Sequence, residues 1–220
     1  MTFLVVANFK SNLTKDQAES WLKAIKPRDG MIIAPSFSHL SIFNPQHSLL
    51  KLAAQDVSPF PKGSYTGAIN AEQLKELGVS YCIVGHSERR RYFHETSVEV
   101  ASKVRELLGV GITPIICMDE GDVASQFAAL PEEFYSECLY CFEPSGDIGG
   151  TQAAGAIEIQ RVRESISSFY PDAQFMYGGS VNEGNIATLI PLGLAGVLVA
   201  SASLNPTKYQ EIIEQVGHGA

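Results

Sequence analysis

Apolar residues along this chain gather into short runs, many of them rich in branched side chains, that end at a polar residue or a glycine. Eight such runs, at 3–8, 31–35, 52–55, 81–85, 113–117, 139–143, 175–177 and 197–200, predict eight strands. Their near-continuous hydrophobicity suits strands buried on both faces, as in a parallel sheet. Amphipathic or capped segments lie between them. Thr14 with Gln17 and Thr96 with Glu99 fit the capping-box pattern, and Asn70 is placed to cap a helix over 71–77. The longest helical period covers 154–169, and the last covers 206–216.

Strands alternating with helices imply parallel pairing through right-handed crossovers. The expected fold is α/β, a closed eight-stranded parallel (βα)8 barrel forming one domain over 1–220. A doubly wound open sheet is the alternative, and the lack of a glycine-rich dinucleotide fingerprint after the first strand weighs against it. Between the fifth and sixth strands only two short helical segments fit, at 122–130 and 131–137, so that crossover is expected to be thin. No short-period repeat, low-complexity tract or linker interrupts the pattern.

In such a barrel the residues just past the C-terminal strand ends build the site. The fourth run stops at Gly85 and is followed at once by His86, Ser87, Glu88, Arg89 and Arg90. Backbone N–H groups of the next segment can lower the histidine pKa and keep the ring neutral; an arginine-rich helix start held by surface ion pairs is the plainer reading. The first run ends in Asn8, Phe9 and Lys10, and alternation sets Asn8 and Lys10 on one side. A lysine and an amide there suit an oxyanion or a phosphate, as a solvent-reaching lysine beside a capping asparagine also would. Glu143 closes the sixth run, where partial burial is expected to raise its pKa and make it a stronger base. The glycine-rich stretch 145–151 that follows suits a mobile lid or an ordinary surface loop. Gly178, Gly179 and Ser180 after the seventh run, and Ala200 and Ser201 after the eighth, let backbone approach a ligand closely. These two loops are the usual phosphate site of a βα barrel, although close helix–strand packing favours small residues too.

Charge and cysteine usage narrow the classes. With 220 residues the chain can bury one substantial core, and its net charge of −8 argues against a general binder of nucleic acid or anionic membrane. An anionic substrate would have to be drawn in locally, by a lysine and by backbone N–H groups. No stretch is long and apolar enough to span a bilayer, and the N-terminus enters a strand at once without the features of a signal peptide, so a cytoplasmic location is expected. Cys82, Cys117, Cys138 and Cys141 read as reduced, mostly buried thiols. Cys138 and Cys141 have C-x-x-C spacing, but no second pair completes a zinc site and no helix start follows, so no metal is expected.

Together these stretches resemble the triosephosphate isomerase family. The resemblance runs from Ala7-Asn8-Phe9-Lys10 to Ala200-Ser201-Ala202-Ser203-Leu204. It is most specific at Gly85-His86-Ser87-Glu88-Arg89-Arg90, Phe142-Glu143-Pro144 and Tyr177-Gly178-Gly179-Ser180-Val181. Ala54-Gln55-Asp56, Tyr65-Thr66-Gly67-Ala68 and Pro114-Ile115-Ile116-Cys117 add support. The resemblance implies interconversion of dihydroxyacetone phosphate and D-glyceraldehyde 3-phosphate through an enediolate, without a cofactor, as a step of glycolysis and gluconeogenesis. It implies Glu143 as the base, neutral His86 as the donor to the developing oxyanion, Lys10 as the cation and Asn8 as a second donor. Glu88 would hold Lys10 or assist as a nearby acid, and Gly149, Ser180, Ala200 and Ser201 would offer N–H groups to the phosphate. It also implies a homodimer in which the loop 57–67 enters the partner's site, with Thr66 reaching across.

The chain departs from the family in places. Gly146 stands where an aromatic hinge residue is usual, Asp147 puts negative charge in the lid, and Cys117-Met118-Asp119-Glu120 replaces Cys-Ile-Gly-Glu. Ala200 takes the place of a common glycine, and the chain is shortened between Glu120 and Glu143. The chemical groups remain, and the changes bear on lid closure and phosphate affinity. A non-catalytic or weakly active barrel that binds a phosphorylated metabolite is therefore the second reading. A barrel aldolase or epimerase would call for a Schiff-base lysine at a middle strand end or a metal-ligand cluster, and the sequence has neither.

Overall fold

The computed structural model of the protein describes residues 2–43, 49–144 and 153–219. Eight strands close into a barrel in chain order: β1 (Leu4–Asn8), β2 (Met31–Ala34), β3 (Leu50–Ala54), β4 (Val79–Val84), β5 (Thr113–Met118), β6 (Leu139–Phe142), β7 (Gln174–Tyr177) and β8 (Gly196–Val199). Every neighbouring pair is parallel, and β1 closes on β8 with Leu4 opposite Gly196 and Ala7 opposite Val199. The open-sheet alternative is thereby excluded.

Strand alternation divides the core into two layers. Val6, Ile32, Ile83, Ile115, Met176 and Leu198 belong to the cluster that fills the barrel. Their neighbours, such as Val5, Ala7, Val84 and Val197, pack outward in the larger cluster shared with the helices. The same alternation carries past the strand ends. Asn8 follows Val6, and Glu143 follows Cys141, so both are delivered to the top of the barrel interior. It also separates the C-x-x-C pair, because Cys138 belongs to the outer cluster and Cys141 to the inner one. All four cysteines are free and buried, and burial pushes the Cys138 thiol up to about 12. These are packing residues at neutral pH.

The helices are α1 (Lys15–Ala24), α2 (Ala71–Glu76), α3 (Ser87–Phe93), α4 (Ser97–Gly109), α5 (Val123–Ala129), α6 (Ala156–Phe169), α7 (Ile186–Leu189) and α8 (Pro206–Gly219). Capping boxes form in both directions at Thr14 with Gln17, Asn70 with Gln73, and Thr96 with Glu99. Each cap is worth about 1 kcal/mol. β3 begins before its predicted start because exposed Lys51 breaks the apolar run while still pairing with Ile32. β4 likewise begins early, at Val79, and stops before Gly85, whose φ of +69° turns the chain out of the strand. α7 spans four residues, too few to show a period in the sequence.

The β5–β6 crossover is as thin as expected. Two 3-10 turns, Glu120–Asp122 and Glu132–Glu137, flank the seven-residue α5. Aromatic side chains cover the wall there. The Phe127 ring stacks on Tyr140 at 5.1 Å and on Phe169 at 4.9 Å. Among the described residues no helix is long and apolar enough to cross a membrane.

Candidate active site

A cavity of about 680 Å³ opens at the C-terminal ends of the strands. Lys10, His86, Glu143, Ser180, Ala200 and Ser201 all line it. The strand-end residues picked out in the sequence therefore converge.

His86 is placed by the turn at Gly85. A Cβ at that position would lie 2.8 Å from Arg90 Nη2 and 2.9 Å from the Cys117 carbonyl oxygen, and the positive φ already favours glycine. The turn makes His86 the N-cap of α3, with Nδ1 accepting the Glu88 backbone N–H at 3.1 Å. This bond assigns the proton of the neutral ring to Nε2. Nε2 lies 3.1 Å from Glu143 Oε1.

Glu143 is buried, and its Oε2 accepts from the Ser87 backbone N–H at 3.3 Å and the Ser87 hydroxyl at 3.4 Å. Its own N–H bonds to the Met118 carbonyl at 3.0 Å, so β5 fixes the backbone beneath it. Gly178 makes room for its side chain, because a Cβ there would fall 2.8 Å from Glu143 Cγ and 2.9 Å from Cys141 Sγ.

The electrostatics correct two expectations, one at Glu143 and one at His86. Burial alone would push the Glu143 carboxyl up, as the sequence suggested. The charge and hydrogen bond of His86, the Ser87 N–H and Lys10 outweigh it, and the carboxyl lies below its usual value. In this resting contact Glu143 is a weaker base than its burial implies. His86 shows the reciprocal balance. Burial pulls its pKa down, but the adjacent Glu143 carboxylate outweighs that, so the ring titrates above its usual value and not below it as the sequence suggested.

Lys10 leaves β1 with φ of +50°, a left-handed conformation that costs a residue with a Cβ about 1–2 kcal/mol. Asn8 Oδ1 accepts the Lys10 N–H at 3.1 Å, and Gln55 Nε2 donates to the Lys10 carbonyl at 2.9 Å. Lys10 Nζ reaches Glu88 Oε1 at 2.7 Å. Asn8 and Glu88 thus touch the site through Lys10. In the sequence Gln55 stands out only as part of a matching triplet, and no local pattern marks its contact.

At the other end of the cavity the turns after β7 and β8 are braced from behind. The Ser180 carbonyl accepts from the side-chain amides of Asn182 at 3.3 Å and Asn185 at 2.7 Å. The Ala200 carbonyl accepts from the Ser203 hydroxyl at 2.6 Å. Asn182, Glu183, Asn205 and Lys208 also line this end, with Lys208 Nζ 2.5 Å from Glu183 Oε1. Sequence reasoning missed these four. None lies at a strand end, and Lys208 comes from α8.

Gly149 and the rest of the stretch 145–151 lie outside the described residues. Thr66 is exposed and lines a different cavity, of about 530 Å³, with Asp56, Phe60, Tyr65, Arg89 and Phe93. Among the described residues no group of three or more His, Cys, Asp or Glu side chains could hold a metal ion. The arrangement has what proton transfer beside a polarised oxygen requires: a carboxylate, an imidazole whose proton faces the cavity, and an ammonium group.

The family model described as triosephosphate isomerase matches residues 3–216. A relative from Polynucleobacter asymbioticus, named triosephosphate isomerase, is 34% identical over 96% of this chain and 98% of its own length. One of the same name from Wolbachia sp. subsp. Brugia malayi is 34% identical over 98% of each chain. A third, from Thermus thermophilus, is 34% identical over 97% of this chain and 98% of its own.

Proposed function

This chain belongs to the triosephosphate isomerase family, and we propose that it is an aldose–ketose isomerase interconverting dihydroxyacetone phosphate and D-glyceraldehyde 3-phosphate. The observation that carries the reading is the pairing of Glu143 Oε1 with His86 Nε2 at 3.1 Å, in one cavity with Lys10 and the small-residue turns after β7 and β8. With the phosphate at Ser180, Ala200 and Ser201, the two reacting carbons come between Glu143 and His86 once Glu143 has turned off the imidazole it contacts at 3.1 Å. Gly149 is the fourth phosphate contact in this reading.

The carboxylate of Glu143 takes the proton from the carbon beside the carbonyl. His86 donates its Nε2–H to the oxygen on which enediolate charge develops, and Lys10 stabilises that charge. Asn8, with Oδ1 on the Lys10 N–H, can donate from Nδ2. Glu88 fixes the lysine. Turning Glu143 toward the substrate removes the contacts with His86 and Ser87 that lower its pKa, so it gains basicity where it is used. The same movement leaves His86 with burial, the Lys10 charge and the Glu88 N–H, which favour the neutral ring against the Glu88 carboxylate 3.8 Å from Nδ1. His86 takes up the hydroxyl proton of the other oxygen as it gives its own Nε2 proton to the enediolate oxygen, and the proton on Glu143 returns to the neighbouring carbon, so that one proton has changed carbons and one has changed oxygens.

The chain acts in this reading as a single domain and as a homodimer whose 57–67 loop, with Thr66, enters the partner's site. Exposed Phe60, Tyr65 and Phe93 beside the second cavity support that interface. A phosphorylated-metabolite binder without turnover is the second reading, favoured by Gly146 and Asp147. A coupled assay of wild type beside Glu143→Gln separates the two. Isomerisation lost in the variant supports the enzyme. Binding of 2-phosphoglycolate without isomerisation by the wild type supports the binder.

A further inference from the structure

We propose that Trp21 on α1 is a positioning residue that holds the turn after β8 in place for the substrate's phosphate. The inference rests on the reading of Ala200 and Ser201 as phosphate contacts. Trp21 is the chain's single tryptophan, and it is buried. A buried indole N–H needs an acceptor. This one reaches 182 residues along the chain and donates to the Ser203 carbonyl at 2.8 Å.

The acceptor belongs to the 3-10 turn Ser201–Leu204, which Ala200 joins to β8. Ser203 is itself buried, and its backbone N–H and its hydroxyl both donate to the Ala200 carbonyl, at 2.9 and 2.6 Å. The turn is thus closed on itself, and the indole fastens it to α1. The ring has a fixed seat. It meets Phe9 edge-on at 4.8 Å and Tyr209 at 5.6 Å, and the Tyr209 hydroxyl donates to the Val5 carbonyl of β1 at 2.8 Å. The N–H is therefore aimed from the barrel wall. Phenylalanine would keep the packing but leave the Ser203 carbonyl without its indole donor. Ala200 and Ser201 line the cavity and Trp21 does not, so Trp21 acts through the turn. Backbone N–H groups bind an anion best when already in place, because an unbraced turn has to be ordered as the ligand binds.

The test compares Trp21→Phe with the wild type and with Phe43→Leu. Phe43 stands 6.3 Å from the indole in the same aromatic cluster, so its variant loosens that cluster and leaves the indole bond alone. Each protein is measured for its thermal midpoint and for 2-phosphoglycolate affinity by calorimetry. Each is also measured for kcat/KM on D-glyceraldehyde 3-phosphate and on D-glyceraldehyde, the same substrate without its phosphate. We expect Trp21→Phe to cost about tenfold in affinity and in kcat/KM on the phosphorylated substrate, and less than about twofold on D-glyceraldehyde. Phe43→Leu should lower the midpoint while changing affinity less than about twofold. A merely structural tryptophan would lower kcat/KM on both substrates by the same factor, or lose no more affinity than Phe43→Leu does, and either result overturns the proposal. If Trp21→Phe does not fold, benzothienylalanine at this single tryptophan position keeps the bicyclic shape and puts sulfur where the N–H stands. Weakened 2-phosphoglycolate binding then supports the proposal, and unchanged binding overturns it. A wild type that binds 2-phosphoglycolate but isomerises neither substrate defeats the enzymatic reading alone, because the affinities still decide the role of Trp21.

Discussion

α3 and the turn before it contribute to two groups of four ionisable side chains. Arg89 joins Asp56, Glu95 and Lys103, while His86 and Glu88 join Lys10 and Glu143. The first group is knit by short ion pairs, although Arg89 Nε and Glu95 Oε2, 3.5 Å apart, are buried without a hydrogen bond. Lys103 Nζ lies 2.6 Å from Asp56 Oδ1 and also contacts Glu95, and Arg89 Nη2 lies 2.7 Å from Asp56 Oδ2. The guanidinium also stacks over the Phe93 ring at 4.8 Å. In the second group Glu143 is held by weaker, longer bonds of 3.1, 3.3 and 3.4 Å, from an imidazole, a backbone N–H and a hydroxyl. Burial is the largest influence on both central carboxylates. It prevails at Asp56, which lies above its usual value, and is outweighed at Glu143, which lies below. The comparison teaches that buried charge alone does not make a reactive site. A carboxylate can work when its partners are exchangeable and leaving them strands no permanent cation.

Lys103→Met gives the sharpest contrast. It leaves Asp56 and Glu95 with Arg89 as their remaining cation in a buried place, and breaking such a pair costs about 3–5 kcal/mol. Denaturant unfolding should show that loss, while the folded fraction keeps its kcat. A midpoint close to wild type would mean that the first group carries no more of the fold than surface charges do.

Glu143→Asp probes the other group with the opposite signature. Drawing the carboxylate back by one methylene misplaces it by roughly 1.5 Å, which is expected to cost about a hundredfold in kcat. The unfolding midpoint and 2-phosphoglycolate affinity should change little. If kcat survived and stability fell, the roles assigned to the two groups would be reversed.

The two groups are not equally legible in the sequence. His86, Glu143 and Asn8 stand at the ends of apolar runs, and alternation alone predicts where such residues go. Asp56, Arg89, Glu95 and Lys103 come from a loop and from helices α3 and α4 and their junction, and no spacing rule brings them together. The left-handed turn at Lys10 is also hidden, because sequence advertises positive φ only where glycine supplies it. Capping boxes mark helix starts well, since both partners are local. β3 and β4 extend beyond their apolar runs because Lys51 interrupts the apolar character while still pairing with Ile32, and Ser80 sits at a register shift between the paired Val79 and Tyr81. The direction of the Glu143 shift depends on Ser87 and His86 folding back onto it, a contact between the ends of β4 and β6 that burial arguments do not contain.

The mildest test leaves shape intact and removes one charge. In the wild type, burial lowers the His86 pKa and Glu143 more than compensates, so the ring titrates above its ordinary value. A histidine raised on folding adds stability that is fully present below its unfolded pKa and is lost as pH rises through the folded value. Glu143, lowered on folding, adds stability above the ordinary carboxylate range that is lost as pH falls through its own folded value. The pair therefore stabilises the fold most between those two losses. Glu143→Gln removes the larger compensation and leaves burial, the Lys10 charge and the Glu88 N–H opposed only by the Glu88 carboxylate, 3.8 Å from Nδ1 and a weaker influence than Lys10. The ring should then titrate below its ordinary value, in an NMR titration assigned with a His86→Gln control. Near neutral pH the slope of unfolding free energy against pH should change sign, since a depressed histidine gains stability as pH rises. An unmoved His86 pKa would show that the 3.1 Å contact carries no electrostatic coupling, and that Glu143 is held by Ser87 alone.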